Sequence, residues 1–178
     1  DIKVALESFI PSPSQTPGRL NMFQFKNFNI MLDYAHNGAG FRALAKLVAK
    51  LDGSPKVGVI AGVGDRRDED TKDLGAIAAE MFDEIIIRQD RNLRGKSEEE
   101  LIGLLEAGID SVDPKKPRLV IRSEEDAIRY AIKNAKSGSL IIVSSDVVPA
   151  ALDLVMKFKE EEVKDLYGAF DKGDIPNM

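Results

Sequence analysis

KVGVIAGVGDRR, residues 56–67, is the stretch on which the fold turns. Its first half, Lys56 to Ala61, is apolar at odd and even positions alike. A strand with one wet face alternates, so this run predicts a strand covered by helices on both faces, hence a mostly parallel sheet. Its second half opens a polar, glycine-bearing loop, Gly62 to Asp70, at the carboxyl end of that strand. The loop invites a dinucleotide reading, but a Rossmann fingerprint wants its third glycine where the chain enters the helix, and Arg67 and its neighbours stand there. A nicotinamide site is therefore disfavoured. Flexible backbone at Gly62 and Gly64 beside Asp65, Arg66 and Arg67 suits an anionic group or a charged amino acid; the competing reading is a solvated turn.

Downstream the strand–helix unit repeats. A helix with Leu74, Ile77, Ala78 and Met81 on one face precedes EIIIRQ (Glu84 to Gln89) and a loop from Asp90 to Lys96. Ser97 with Glu100 makes a capping box for a helix carrying Leu101, Leu104 and Leu105. Arg118 to Ile121 is the next strand, and Ser123 with Asp126 caps a helix through Ala135. LIIV (Leu140 to Val143) is the last buried strand. The loop Ser144 to Val148 leads to a helix with Pro149 in its first turn and Ala151, Leu154, Val155 and Phe158 inside. Upstream, Phe41, Leu44, Ala45, Val48 and Leu51 mark a helix stopped by Gly53 and Pro55. Before it, MFQF (Met22 to Phe25) and FNIMLD (Phe28 to Asp33) read as a hairpin turning at Lys26-Asn27.

The expected architecture is thus α/β: a Rossmann-like three-layer sandwich, its mostly parallel sheet edged by an antiparallel hairpin. Residues 1–18 read as the end of a preceding domain, helical over Ile2 to Phe9, plus a Pro/Ser-rich linker. The domain proper spans 19–162, with 163–178 as a C-terminal tail. The chain has 178 residues, 43% hydrophobic and 31% charged, enough for one core without staples. With no Cys and one His, disulfides, thiolate nucleophiles and two-imidazole metal sites are excluded. A net charge of −5 opposes broad nucleic-acid binding, and no apolar run is long enough to span a bilayer, so the expected location is the cytoplasm, with neither nucleic acid nor membrane as partner.

In such sheets ligands bind beyond the carboxyl ends of the strands, so the loops after Asp33, Ala61, Gln89, Ile121 and Val143 carry the chemistry. DYAHN (Asp33 to Asn37) puts a carboxylate at a strand end, with an imidazole and an amide where the next helix begins. Asp33 can accept two hydrogen bonds from adjacent hydroxyls, as a ribose requires. His36 and Asn37 can orient a neighbouring group, although His36 alone reads equally as a helix-start residue. No GxxxxGK[ST] occurs, so a P-loop does not cradle phosphates here.

PGR at Pro17 to Arg19 before a hairpin, DYAHN, GDRR at Gly64 to Arg67, and the acid-to-Arg-Gly loop ending at Arg94-Gly95 together resemble the C-terminal domain of the Mur ligases. Within that family the chain looks most like cyanophycin synthetase, whose version also reads DYAHN and GDRRDED. The likeness covers nearly the whole chain. It implies an ATP-dependent carboxylate–amine ligase, in which a carboxylate becomes an acyl phosphate and an amine displaces the phosphate. ATP and Mg would be held mainly by a central ATPase domain outside this chain, which alone would be inactive and hold no metal or catalytic residue. Carried over by position, Asp33 would hold the ribose, with Arg19 and His36 at the nucleotide. Asn37, Asp65, Arg67, Asp90 and Arg94 would seat the incoming amino acid opposite the carboxylate acceptor. Gly38 stands where many relatives have Pro, and the third loop reads DRNLRG rather than the DNPR of the diaminopimelate-adding ligase. Arginine as the added amino acid would want carboxylates such as Asp90 or Asp146, yet the arginines crowding these loops suit a carboxylate or phosphate. The alternative is a stand-alone nucleotide- or metabolite-binding module without catalysis, and a weaker one an oxidoreductase domain.

Overall fold

Residues 13–89 and 93–171 are described by the structure, a computed structural model. Strands β1 (Asn21–Gln24) and β2 (Asn29–Asp33) open the fold as the expected hairpin, antiparallel with Met22 opposite Met31. Then follow α1 (Gly38–Val48), β3 (Lys56–Ile60), α2 (Asp68–Met81), β4 (Glu84–Ile87), α3 (Glu98–Val112) and β5 (Arg118–Val120). The chain ends in α4 (Glu124–Lys133), β6 (Leu140–Ser144) and α5 (Val148–Asp171). The strands lie in the order β1-β2-β6-β3-β4-β5, every pair but the first being parallel.

Strand residues that are apolar on both parities feed two separate cores, because successive side chains leave a sheet on opposite faces. Ile85 and Ile87 join Ile60, Ile142 and Met31 under α1, α2 and α3, packing on Phe41, Leu44, Leu74, Ala78, Leu105 and Ile109. Ile86 points the other way and joins Val59, Ile141, Val143 and Leu32 under α4 and α5, against Ile128, Ala131, Leu152 and Val155. Each such side chain, fully buried, contributes about 1.5–3 kcal/mol. The result is the three-layer α/β sandwich.

The caps form as the sequence predicts. Ser97 Oγ accepts from the Glu100 amide while the Glu100 carboxylate accepts from the Ser97 amide, and Ser123 Oγ accepts from Asp126 N at 3.2 Å. Helices α2 and α3 approach with glycine against backbone. A β-carbon on Gly75 would overlap the Leu105 carbonyl, and one on Gly108 would overlap the Lys72 carbonyl.

One expectation fails locally. Helix α5 runs past Glu160 to Asp171, so residues 163–171 continue the helix instead of forming a tail. The Lys- and Glu-rich segment after Phe158 favours helix intrinsically. Lys159 bridges Glu162 three residues on, and Glu162 in turn accepts from the Lys26 amide in the hairpin loop. The expected helix at Ile2–Phe9 lies outside the described residues, and residues 13–18 form turns.

Candidate functional site

Asp33 ends β2 beside Ser144, the last residue of β6, and this placement follows from the buried run Ile30–Leu32 before it. The carboxylate is 8% exposed. Its Oδ1 accepts from Ala35 N at 2.7 Å and its Oδ2 from Leu20 N at 3.0 Å. These bonds orient the carboxylate without exhausting it, since each oxygen has a second lone pair. It lines the wall of an open cleft of about 480 Å³ with Arg19, Tyr34, His36, Asn37 and Leu47. Arg19 is exposed and stacks over the Tyr34 ring, its guanidinium carbon 5.3 Å from the centroid.

His36 Nδ1 lies 2.9 Å from the Tyr34 carbonyl oxygen. A carbonyl only accepts, so Nδ1 donates and the neutral ring keeps Nε2 as an acceptor. Asn37 is the N-cap of α1, its side-chain oxygen accepting from Gly40 N at 2.8 Å. Four of the expected residues, Arg19, Asp33, His36 and Asn37, therefore meet in one cleft. A second cleft of about 280 Å³ shares His36 and Asn37 and adds Arg42, Gly62, Arg66 and Thr71.

The remaining expected residues divide. Asp65 pairs with Arg94 across the second and third loops. These loops touch because Gly64 admits the Leu93 carbonyl where a β-carbon would collide. For the Asp65 carboxyl, desolvation works upward, but the Arg94 hydrogen bond and the Arg94 and Arg66 charges outweigh it and hold it below the usual range. Arg67 instead turns to solvent, 78% exposed, and grips Asp70 through Nε at 3.0 Å and Nη2 at 2.8 Å. That hydrogen bond holds Asp70 low and raises Arg67. Asp90 lies outside the described residues. Among the described residues Leu20 (φ 51°), next to Arg19, and Arg94 (φ 47°), itself an expected site residue, are the non-glycine residues in the left-handed region.

Asp146 does not open toward a ligand guanidinium as expected. Its carboxylate faces the chain's own Arg88 at 2.7 Å. Arg88 went unremarked in the sequence as part of EIIIRQ. Only 3% exposed, it follows β4 and reaches across the strand ends, donating to the Ser144 carbonyl from Nε at 3.2 Å and Nη2 at 2.7 Å and to the Gln89 carbonyl at 3.1 Å. Glu124, 12% exposed at the start of α4, lies 3.2 Å from Arg88 Nη1 and accepts from Ser145 Oγ at 2.5 Å. Burial first, then a hydrogen bond with Asp146, pushes the Glu124 carboxyl up to about 7, against the opposing Arg88 charge. An arginine ending an apolar strand must find buried partners, and that was the available signal.

Among the described residues no group of three or more His, Asp or Glu is placed to hold a metal ion, and no helix is long and apolar enough to cross a membrane.

A family model described as "Mur ligase, glutamate ligase domain" matches residues 18–147. Cyanophycin synthetase of Geminocystis herdmanii is 38% identical over 157 residues, covering 88% of this chain and 18% of the relative. A UDP-N-acetylmuramoyl-L-alanyl-D-glutamate–2,6-diaminopimelate ligase of Caldanaerobacter subterraneus is 29% identical over 141 residues, covering 78% of this chain and 29% of that one. Among solved structures, Mycobacterium tuberculosis folylpolyglutamate synthase complexed with ADP and AMPPCP superposes with a TM-score of 0.59 at 26% identity, covering 79% of this chain and 32% of that one. The chain thus spans 18% of the length of the first of these relatives. With its Rossmann-like sandwich, its strand-end cleft and a family match over most of its length, the chain belongs to the Mur ligase family, as its C-terminal, glutamate-ligase domain.

Proposed function

We propose that this domain serves an ATP-dependent carboxylate–amine ligase of the acyl-phosphate type, in the cytoplasm, and that it is the part that receives the nucleotide sugar and the incoming amino acid. The observation that carries the reading is Asp33. Two backbone amides fix its carboxylate at the wall of an open cleft, where the remaining lone pairs suit a ribose diol. Arg19 at the rim and His36 Nε2 supply a cation and an acceptor beside it. Relatives at 37–38% identity named cyanophycin synthetase support the ligase class, and the ADP-bound folylpolyglutamate synthase supports the nucleotide.

The second cleft, with Arg42 and Arg66 on its wall, suits an anionic end such as an amino acid's α-carboxylate. An arginine side chain gains no support from Asp146 or Asp65, whose carboxylates already face Arg88 and Arg94. Magnesium does not fit the described residues, which offer it no ligand cluster. In the proposal the metal and the phosphates belong to a central domain, and this domain contributes positioning: it orients the nucleotide and holds the amine while closure excludes water.

The test is a titration of the ¹⁵N-labelled chain with adenosine and ADP. The amide signals of Asp33–Asn37 should shift, and Asp33→Asn should weaken that response roughly tenfold or more, the worth of a charged hydrogen bond. Absence of shifts there, or an unchanged response in the variant, removes the ribose assignment.

A further inference from the structure

Beyond the ligand clefts, the cluster of Arg88, Glu124 and Asp146 lies buried under the carboxyl ends of the strands. We infer that it is a positioning device, in which one proton shared between the Glu124 and Asp146 carboxyls over the Arg88 guanidinium sets the loop after β6 and, through that loop, the Asp33–Asn37 segment.

The physical chain is continuous. Arg88 pairs with both carboxylates and holds the Ser144 carbonyl with two donors. Ser145 Oγ donates to Glu124, and the Asp146 amide approaches the second Glu124 oxygen at 3.4 Å. The same loop then ties into the first one: Ser144 Oγ donates to the Ala35 carbonyl, and Ser145 N donates to the Asp33 carbonyl at 3.0 Å. Both serines are buried, so these bonds have few aqueous substitutes.

Charge bookkeeping explains why a proton belongs there. One guanidinium with two ionised carboxylates leaves a net negative charge in a site where Arg88 is 3% and Glu124 12% exposed. Holding one proton makes the cluster neutral and converts carboxyl–carboxylate repulsion into a hydrogen bond. Losing the proton leaves Arg88 with two competing anions, and the partner that can move is Asp146, 22% exposed on the loop. No other described charge offsets this at Glu124. Arg122, two residues before it, pairs with Glu98 and Glu99 of α3, and Arg129 pairs with Glu125 on the outer face of α4.

What the loop does for a ligand rests on the nucleotide reading above; the proton sharing does not, and its test needs no nucleotide. The ¹³C carboxyl signal of Glu124 and the amide signals of Ser145, Asp146, Ala35 and Asp33 are followed in the chain from pH 4.5 to 8.5. Glu124 should titrate near neutrality, and the four amides should inflect at the same midpoint. Glu124→Gln should abolish that inflection in all four. Asp146→Asn removes the second anion, so it should lower the Glu124 midpoint and flatten the inflection of the four amides; this variant decides the matter if Glu124→Gln does not fold, an unchanged midpoint with the inflection intact overturning the inference. The inference is overturned by a Glu124 midpoint in the ordinary carboxylate range, by amides that stay flat, or by an inflection that survives Glu124→Gln. A failed adenosine titration with an intact pH response would remove the ribose reading alone.

Discussion

Two glycines in α3 make a paired prediction of opposite sign. At Gly103 a β-carbon would meet nothing within 4 Å. Gly103→Ala therefore collects only the helix-propensity gain and the reduced entropy of the unfolded chain, about 0.5–1 kcal/mol of stabilisation. At Gly108 the same change carries the same gain but drives a methyl into the Lys72 carbonyl, with Ala76 N only 3.0 Å away. Both obstacles are backbone of α2, so no rotamer can yield and the helices must separate. Overpacking of this kind costs about 1–3 kcal/mol. Separation also loosens contacts of the buried Leu105 and Ile109 with Leu74 and Ala78. The net expectation for Gly108→Ala is a loss of about 1–2 kcal/mol. Urea unfolding of the chain reads both: with a slope of about 2 kcal/mol/M, the midpoint should fall by about 0.5–1 M for Gly108→Ala and rise by about 0.3–0.5 M for Gly103→Ala. Equal stabilisation by the two substitutions would refute the close-approach argument. The same variant reaches the site, because α2 and α3 carry at their amino ends the loops that meet at Gly64 and Leu93.

Three further outcomes are expected. Glu124 holds its proton more tightly folded than unfolded, so its own contribution to stability is complete below about pH 4.5 and is lost as pH rises through about 7. The loss is up to about 3 kcal/mol, and Glu124→Gln should flatten the difference in melting temperature between pH 5 and 8. Asp65, Asp68, Asp70 and Glu99 are shifted downward, so their contributions are lost only as pH falls below the ordinary carboxylate range, outside that window. Ser97→Ala removes one half of the α3 capping box and should cost about 1 kcal/mol in urea unfolding. Gly64→Ala should force the second and third loops apart, read as shifts of the Leu93 and Asp65 amide signals with little change at Gly103.

Local signals carried most of the fold. The both-parity runs at 56–61 and 84–87 demanded two covered faces, and the hairpin and the Ser97–Glu100 cap are written within a few residues of chain. What stayed hidden were arrangements made by distant partners. Arg88 looked like a strand terminus because its carboxylates lie one on α4 and one past β6, and only the sheet order brings them over it. Asp33 was legible as a strand-end carboxylate, but the amide of Leu20 that turns it was not, since that bond depends on a leucine in the left-handed region. Arg67 was read toward a ligand, although Asp70, three residues on at the start of α2, was the nearer claimant. The length of α5 was missed because the helical spacing of Val163, Leu166, Tyr167 and Phe170 in the sequence went unread beyond Phe158.

The segment entering the domain is fastened at several points: Gly18 N to Asn21 Oδ1 at 2.6 Å, Asn21 Nδ2 to the Thr16 carbonyl at 3.0 Å, and Leu20 N to Asp33 itself. Asn21 is wholly buried, so this knot is anchored in the body of the domain and acts as a fulcrum. The knot that seats the chain's entry thus also supplies, one residue before Asn21, one of the two amides that hold the Asp33 carboxylate, so the domain's doorway and its cleft share a single hinge-pin.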